Sequence, residues 1–201
     1  EMFRRGVAER PEDLATAMRR IEEESVRMGV LVDDLLLLAR LDQGRPLERE
    51  PVDLAKVAAD AVQDARAVEP SRPITLEGAD AAVVIGDELR LRQVAANLLA
   101  NARQHTPPTA AVRVGIRREN GSAVLEVADE GPGLFPEEAD KVFERFYRAD
   151  PSRHRNLGGT GLGLSIVAAV AEAHGGRARV ESQPGHGARF WVELPLAPSE
   201  H

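Results

Sequence analysis

The first part of the chain carries a hydrophobic repeat with alternating steps of four and three residues. This spacing is a heptad seam of nearly four repeats, and it predicts one long helix that begins after Arg10 and Pro11. A helix of this length with one apolar side needs a partner helix or a second copy, so the pattern favours a bundle over a core helix of a single domain. The seam positions are Leu14, Met18, Ile21, Ser25, Met28, Val32, Leu35 and Ala39. Residues 1–7 also have a helical pattern, which ends near Gly6.

Gly44, Pro46 and Pro51 interrupt the helical pattern and predict a linker over residues 43–51. We therefore predict two domains. The first is a helical domain over residues 1–45, and the second covers residues 46–201.

Short apolar runs alternate with amphipathic segments beyond the linker. The predicted strands cover residues 74–76, 82–85, 112–117, 123–128, 178–182 and 188–194, and the predicted helices cover residues 53–67, 87–107, 137–146 and 161–173. Asn120 and Gly121 between two of these strands are a strong hairpin signal, and the hairpin makes the sheet mixed. The pattern predicts an α+β fold: a two-layer α/β sandwich with one mixed sheet, helices on one face, and the long bundle-forming helix in front.

The predicted helix at residues 87–107 has three kinds of surface. At roughly 100° per residue, Leu91, Ala95, Leu98 and Ala102 share one face and are expected in the core. A second face carries Arg90, Gln93, Asn97, Asn101 and Gln104. Asn97 and Asn101 project together because they are four residues apart, and their amides suit a hard cation or phosphate oxygens. On this helix alone, a solvated polar strip explains the pattern equally well.

Composition excludes several classes of protein. The chain has 201 residues, 43% of them apolar, which is enough for a sizeable core. Its formal net charge of −7 argues against a general nucleic-acid binder, and the absence of cysteine excludes disulfides and thiolate metal sites. No apolar run reaches the ~20 residues that a membrane span needs, and no signal peptide is visible. The chain begins at Glu1 within a helical pattern, so we expect it to be part of a longer protein.

Asp129, Gly131 and Gly133 directly follow a predicted strand. A carboxylate at a strand end can accept hydrogen bonds from an amino group such as that of a purine, and flanking glycines allow a ligand to approach the backbone. The same run also occurs as an ordinary turn.

A second glycine run, Gly159, Gly161 and Gly163, opens a predicted helix. Free N–H groups and the helix dipole favour an anion there, and glycines leave room for phosphates. The run differs from a Rossmann fingerprint because a polar loop precedes it, and it lacks the lysine of a P-loop. We interpret it as a glycine-rich phosphate lid.

Aromatic and basic residues lie just before that loop. We interpret Phe143 and Phe146, which are three residues apart, as core anchors rather than base-stacking residues. The arginines are Arg145, Arg148, Arg153 and Arg155. They suit phosphate charge, although a solvated basic loop explains them equally well.

These motifs occur in one order along the chain: the asparagine pair, the Asp129 run, the phenylalanine pair and the Gly159 run. Together they resemble the N, G1, F and G2 boxes of the ATP-binding catalytic domain of bacterial sensor histidine kinases. Gly185 and Gly187 are similar to a further glycine element of that domain. Residues 27–42 resemble the second helix of the dimerisation and phosphotransfer hairpin of these kinases.

The resemblance implies a role for each motif, with ATP and Mg²⁺ as cofactors. Asp129 would recognise adenine N6, Asn101 would be a magnesium ligand, and Asn97 would contact phosphates or the metal site. Asn97 and Asn101 would be the catalytic residues, beneath a lid at residues 150–158. The other implied cofactor contacts are Gly131, Gly133, Arg148, Gly159, Thr160, Gly161, Leu162 and Gly163.

The resemblance also implies partners. They are a histidine-bearing phosphotransfer domain, on the same full-length protein or a separate subunit, and a response regulator. It implies a homodimer of the full-length protein, without nucleic acid and without membrane contact by this part. We expect a cytoplasmic location, with the full-length protein anchored in the cell membrane.

Two departures from the family pattern stand out. The phosphoacceptor histidine of the family lies in a run with a following acid and a proline, and no histidine of this chain has that context. The histidines are His105, His154, His174, His186 and His201. We therefore expect ATP binding, with the acceptor histidine outside this chain. Gln104 also stands where the family often has a lysine near the phosphates.

Alternative interpretations of the same motifs predict different chemistry. ATPases of the gyrase, Hsp90 and MutL type place a water-activating glutamate four residues before the metal-binding asparagine, and Asn97 stands there in this chain. Phosphoryl transfer is therefore favoured over hydrolysis, and the heptad helix disfavours a related serine kinase. A nucleotide-gated scaffold that only dimerises stays open as an alternative.

Overall fold

The computed structural model describes residues 11–78, 81–148 and 160–198, with side chains from residue 14 onward. The chain divides into two compact units, Glu1–Arg40 and Leu41–His201. The predicted boundary between residues 45 and 46 stays a prediction. The helical pattern of residues 1–7 lies outside the described residues.

A single long helix, α1 (Pro11–Asp42), confirms the helix that the heptad pattern predicts. Seam residues Met18, Ile21 and Val32 each expose more than half of their surface (57%, 55% and 53%). Burying such residues is favourable by about 1.5–3 kcal/mol each. The structure thus supports the expectation that α1 needs a partner, whose identity stays a prediction. Within the described residues, no helix is both long and apolar enough to cross a membrane.

The second unit interleaves strands and helices. They are β1 (Glu50–Asp53), α2 (Leu54–Val68), β2 (Ile74–Glu77), β3 (Val83–Gly86), α3 (Glu88–His105), β4 (Val112–Glu119), β5 (Ser122–Asp129), α4 (Pro136–Ala139), α5 (Gly163–Ala173), β6 (Arg177–Ser182) and β7 (Ala188–Pro195). The main sheet has five strands in the order β2-β4-β5-β7-β6. β2 pairs parallel to β4, and the other pairs are antiparallel, which confirms the mixed sheet.

The hydrophobic pattern explains how the two layers pack. Alternate residues of β4 and β7, such as Val114 and Phe190, are buried, and α2, α3 and α5 all contact the sheet. The side chains that alternate with these buried ones point to the opposite face of the sheet, which is charged. There, Arg117 on β4 and Arg189 on β7 pair with Glu126 on β5. The two-layer sandwich with helices on one face is confirmed.

The prediction of one sheet is wrong at one point, because β3 leaves the main sheet and pairs antiparallel with β1. The same pairing corrects the linker prediction for residues 43–51, since β1 begins at Glu50. Pro51 was one reason why the sequence pattern predicted a loop for this segment. A proline is tolerated in a short edge strand because it removes one N–H donor from only one side.

Residues with a left-handed backbone conformation mark where two predicted elements end. Asn120 and Gly121 have φ angles of +50° and +79°, which is the two-residue turn expected for the β4–β5 hairpin. The predicted helix at residues 137–146 is wrong beyond Ala139, where turns replace it. Phe146 has φ +63°, a left-handed conformation that cannot continue a helix.

Candidate functional site

The helix α3 carries the asparagine pair and is fixed at its first turn. The Asp87 side chain caps it by accepting from the N–H of Arg90 at 3.1 Å. The ring of His174, at the end of α5, accepts from the N–H of Asp87 at 3.0 Å and contacts the backbone of Val170 through Nδ1 at 2.7 Å. The predicted core positions are confirmed, and the apolar stripe is wider than predicted because Val94 and Leu99 are also buried.

Asn97 connects α3 to the start of α5. Its side-chain Nδ2 donates to the carbonyl of Gly163 at 3.1 Å, so the first and fourth motifs of the sequence meet in space. Because the amide donates through nitrogen, its oxygen is oriented away from that bond and can act as an acceptor. Asn101 lies one turn further along α3 and is half-buried.

Asp129 ends β5 and is 8% exposed. Its Oδ1 accepts from the N–H of Gly131 at 2.9 Å and from the N–H of Ala188 at 3.3 Å. Burial raises the pKa of Asp129 above its ordinary value, although these N–H groups and the positive charge of Arg72 act against the rise. Within the described part of the chain Oδ2 accepts no such bond, which leaves it for a ligand that donates.

The β6–β7 turn holds the loop after Asp129 in place. The N–H of Gly185 donates to the carbonyl of Pro132 at 2.7 Å. Ser182 accepts from the N–H of Leu134 at 2.8 Å and donates to the carbonyl of Gly187 at 2.7 Å. Gly187 has φ +80°, and a Cβ there would collide with the carbonyl oxygen of Asp129. The turn therefore packs backbone against backbone on the Asp129 loop.

This packing predicts that alanine substitutions at two glycines of the turn lower the free energy of unfolding by different amounts. Gly185→Ala places a side chain at φ +82° in open space, so we expect a loss of about 1 kcal/mol in the free energy of unfolding from the left-handed backbone alone. Gly187→Ala must also displace the carbonyl of Asp129, so we expect a loss of about 3 kcal/mol or more. Urea unfolding of both variants measures the difference. Equal losses would contradict the close contact at Gly187.

The second glycine run leads into α5 and lies with its backbone close to that of Phe146. Gly161 has φ +72°, and its carbonyl accepts from the N–H of Phe146 at 2.9 Å. The hydroxyl of Thr160 accepts from the N–H of Leu162 at 3.3 Å. The side chain of Leu162 is fully buried, so a phosphate could meet only its backbone. Gly159 and the proposed lid at residues 150–158 lie outside the described residues.

The aromatic prediction is half right. Phe143 packs edge to face on Phe190, with ring centroids 6.3 Å apart and planes at 84°, as a core anchor should. Phe146 is 58% exposed, so its assignment to the core is wrong. The left-handed backbone at Phe146 turns its side chain outward while its N–H stays bonded to Gly161.

The structure describes two arginines of the predicted cluster, Arg145 and Arg148. Arg145 pairs with Asp42 at 2.6 Å, and both residues belong to the second unit. This pairing lowers the pKa of the Asp42 carboxyl. Arg148 is exposed, and its proposed contact with a nucleotide stays a prediction. Arg153 and Arg155 lie outside the described residues.

The residues present suit a magnesium ion that is shared with a ligand. The described residues contain no group of three or more histidine, cysteine, aspartate or glutamate side chains that could hold a metal by themselves. The asparagine pair offers hard amide oxygens, and Mg²⁺ commonly takes few protein ligands and completes its shell with phosphate oxygens and water. This donor set would fit Mg²⁺, provided that a polyphosphate supplies the other ligands.

A cavity of about 440 Å³ between α2 and α3 is a different feature. It is lined largely by small apolar residues such as Ala61, Ala96 and Ala100, and it contains none of Asn97, Asn101 and Asp129. Its polar lining, which includes Asp64, Arg90 and Arg103, comes from α2 and α3 alone, so the cavity is separate from the predicted ATP site.

Four residues that support the site were missed from the sequence: Arg72, Thr106, His174 and Ser182. Each acts through a contact with a residue far away in the chain, such as His174 with Asp87 and Ser182 with Leu134. The position of His174 before two glycines and that of Thr106 before two prolines were visible, but their partners were not.

Comparisons with known proteins show the family and the fold of the chain. Residues 86–198 match the family described as histidine kinase-, DNA gyrase B- and HSP90-like ATPases. The chain is 50% identical to the probable sensor histidine kinase TcrY of Mycobacterium tuberculosis over 94% of its length, which covers 40% of that relative. It is 41% identical to the sensor histidine kinase TrcS of the same organism over 98% of its length, which covers 39% of that relative. The chain thus spans less than half the length of these relatives.

Solved structures show the same likeness. The mycobacterial sensor histidine kinase MprB is 34% identical, with a TM-score of 0.65 over 75% of this chain and 99% of that chain. Full-length ShkA in complex with AMPPNP is 31% identical, with a TM-score of 0.79 over 94% of this chain and 40% of that chain. The chain therefore belongs to the family of histidine kinase-, DNA gyrase B- and HSP90-like ATPases, as an ATP-binding catalytic domain of the two-component histidine kinase type.

Proposed function

We propose that this chain transfers the γ-phosphoryl group of ATP to a histidine that lies outside it, for relay to a response regulator. The observation that carries the proposal is the bond from Asn97 to the carbonyl of Gly163. It brings the amide pair of α3 to the start of α5, where free N–H groups and the helix dipole favour phosphate. Asp129 supplies a buried acceptor for the adenine amino group at the end of β5.

Each part of the proposed site has one task. Asp129 with Gly131 and Gly133 binds adenine, and Thr160, Gly161, Leu162 and Gly163 line the phosphates, together with Gly159 and Arg148. Asn101 holds Mg²⁺ through its side-chain oxygen, and Asn97 orients the phosphates. The bound Mg²⁺ would neutralise negative charge on the phosphate oxygens. Phosphoryl transfer relies mainly on such positioning and charge stabilisation.

The identity of residue 97 favours transfer over hydrolysis. An amide cannot take a proton from water as a carboxylate does, and Asn97 already uses its nitrogen in the bond to Gly163. We therefore propose that the acceptor of the phosphoryl group is a protein side chain rather than water.

The partners follow from the same proposal. The acceptor would be a histidine-bearing phosphotransfer domain, either on the same full-length protein or on a separate subunit. The exposed apolar seam of α1 would pair with its neighbours in a homodimer. We place this part of the protein in the cytoplasm, where ATP is available, and propose no role for nucleic acid.

Transfer can be measured directly with labelled ATP. We expect the chain, mixed with Mg²⁺, [γ-³²P]ATP and a histidine-bearing helical hairpin from a sensor histidine kinase, to label the hairpin. The label should be acid-labile and base-stable, as expected for phosphohistidine, and it should vanish when the hairpin histidine is changed to glutamine. This test separates histidine phosphorylation from transfer to serine.

Other outcomes lead to other functions. Release of phosphate to water with no labelled protein would favour an ATPase. ATP binding with neither transfer nor hydrolysis, tested over several hairpins, would favour the nucleotide-gated scaffold. Absence of ATP binding would contradict the proposed site as a whole.

A further inference from the structure

Arg72 is a buried cation in the turn between α2 and β2, and none of the sequence motifs contains it. It is 3% exposed, and arginine is almost never buried to this degree unless it is paired. Its Nε donates to a carboxylate oxygen of Glu69 at 2.8 Å, and Nη1 donates to the hydroxyl of Thr106 at 2.8 Å. Arg72 therefore has hydrogen-bond partners on two sides, and one of them is Thr106, the residue that directly follows α3.

The guanidinium also holds the carboxyl end of α3. Nη2 lies 3.4 Å from the carbonyl oxygens of Arg103 and Thr106. The last carbonyls of a helix lack partners within the helix and carry partial negative charge, so a cation stabilises them. Arg72 thus stabilises the end of the helix that carries the asparagine pair.

Thr106 carries this restraint to the loop after Asp129. Its hydroxyl accepts from Arg72 and donates to the carbonyl of Ala102 at 2.7 Å, so its side chain is held in one rotamer. Its methyl carbon Cγ2 lies 2.5 Å from where a Cβ on Gly131 would be. The methyl group therefore packs on Gly131, whose N–H donates to Asp129 Oδ1.

The positive charge of Arg72 also acts on the carboxylate of Asp129. Burial raises the pKa of Asp129, and Arg72 is the cation among the described residues that lowers it. Glu130 is paired with Arg113 on the neighbouring strand, and Arg189 on β7 is paired with Glu126 and Glu181. These neighbouring charges are therefore already compensated.

We propose that Arg72 is a positioning residue for adenine binding: through Thr106 and Gly131 it fixes the orientation of Asp129. The proposal rests on the proposed function, because it assigns Asp129 to the adenine amino group. It adds to the ATP-binding domain a residue outside the matched range of residues 86–198.

The test compares ATP affinity in wild type, Arg72→Met, Arg72→Lys and Arg103→Met, by calorimetry at a fixed Mg²⁺ concentration. Arg103 is the matched control, because it pairs with the same Glu69 without a bond to Thr106. We expect roughly tenfold weaker binding in Arg72→Met and Arg72→Lys, since both lose the forked contact, and less than twofold change in Arg103→Met. Thr106→Val keeps a methyl group but loses the hydroxyl, and its effect should not add to that of Arg72→Met.

The pH profile separates positioning from a general loss of structure. ATP affinity should fall as the pH drops through the pKa of Asp129, because the protonated carboxyl is the poorer acceptor. Without the cation of Arg72 that pKa rises further, so the fall in Arg72→Met should begin at higher pH than in wild type. Arg72→Lys keeps a positive charge and should stay close to the wild-type profile. The ratio of variant to wild-type affinity cancels the titration of the nucleotide itself.

Two kinds of failure are distinguishable. If wild type binds ATP and Arg72→Met matches Arg103→Met in affinity and profile, the inference about Arg72 is wrong while the proposed function stands. If wild type itself fails to bind ATP, the proposed function is wrong. If Arg72→Met is too unstable to titrate, Thr106→Val decides, and wild-type affinity in that variant would overturn the inference.

Discussion

Asp129→Asn should weaken ATP binding about 30-fold or more at neutral pH. The N–H groups of Gly131 and Ala188 both donate to Oδ1, so an asparagine must place its oxygen there and its amide nitrogen in the place of Oδ2. The ligand amino group would then face a donor instead of an acceptor. Losing a hydrogen bond to a charged acceptor costs about 1.5–3 kcal/mol, and the opposed donors add to that cost. Calorimetry with ATP and Mg²⁺ measures the change.

The control for this variant is Glu130→Gln, which removes an exposed carboxylate next in the chain that pairs with Arg113. We expect it to bind ATP as wild type does. ADP should lose affinity for Asp129→Asn by the same factor as ATP, because the lost contact is at the base. A loss confined to ATP would place Asp129 near the phosphates and contradict its assignment.

Stability shows whether the loss of binding comes from unfolding. The folded protein raises the pKa of Asp129, so its ionisation disfavours the folded state. The contribution of this group to stability is therefore greatest below the ordinary pKa and is lost as the pH rises through the raised value. A neutral asparagine removes that loss, and we expect Asp129→Asn to unfold at the same temperature as wild type, or higher, at pH 7.

The parts of the fold that local pattern determines were predictable from sequence. The alternation in β4 and β5, with Asn120 and Gly121 between them, determines the hairpin because the turn and the strands agree. Asp87 and the two prolines after Thr106 delimit α3 for the same reason, since a cap and a stop signal flank one apolar periodicity.

The rest depended on contacts between distant segments. β1 pairs with β3, although the whole of α2 lies between them in the sequence. The four residues of β1 carry no local signal that identifies β3 as the partner. The conformation of Phe146 follows from its bond to Gly161 on the far side of the proposed lid, and this overrides the helical pattern around it. The same limit applies to the site, because its motifs were visible locally while the support from Arg72 became visible only in three dimensions.

Asn101→Ala should remove the dependence of ATP affinity on Mg²⁺ and reduce phosphoryl transfer about 100-fold. Mg²⁺ with phosphate and water ligands needs few protein oxygens, so the loss of one removes most of the protein's hold on the ion. Titrating ATP with Mg²⁺ and with EDTA gives the dependence, and the labelled hairpin assay gives the transfer rate.

Asn101→Asp distinguishes a metal ligand from a phosphate donor. A carboxylate is also a good ligand for Mg²⁺, yet its charge repels free phosphates. ATP without Mg²⁺ should therefore bind more weakly to Asn101→Asp than to Asn101→Ala, while added Mg²⁺ should restore binding in the aspartate variant alone. Gln93→Ala is the control, since Gln93 lies on the same helix but lines the cavity between α2 and α3. If Mg²⁺ restores neither variant or both equally, Asn101 is not the magnesium ligand, and its amide acts on the phosphates directly.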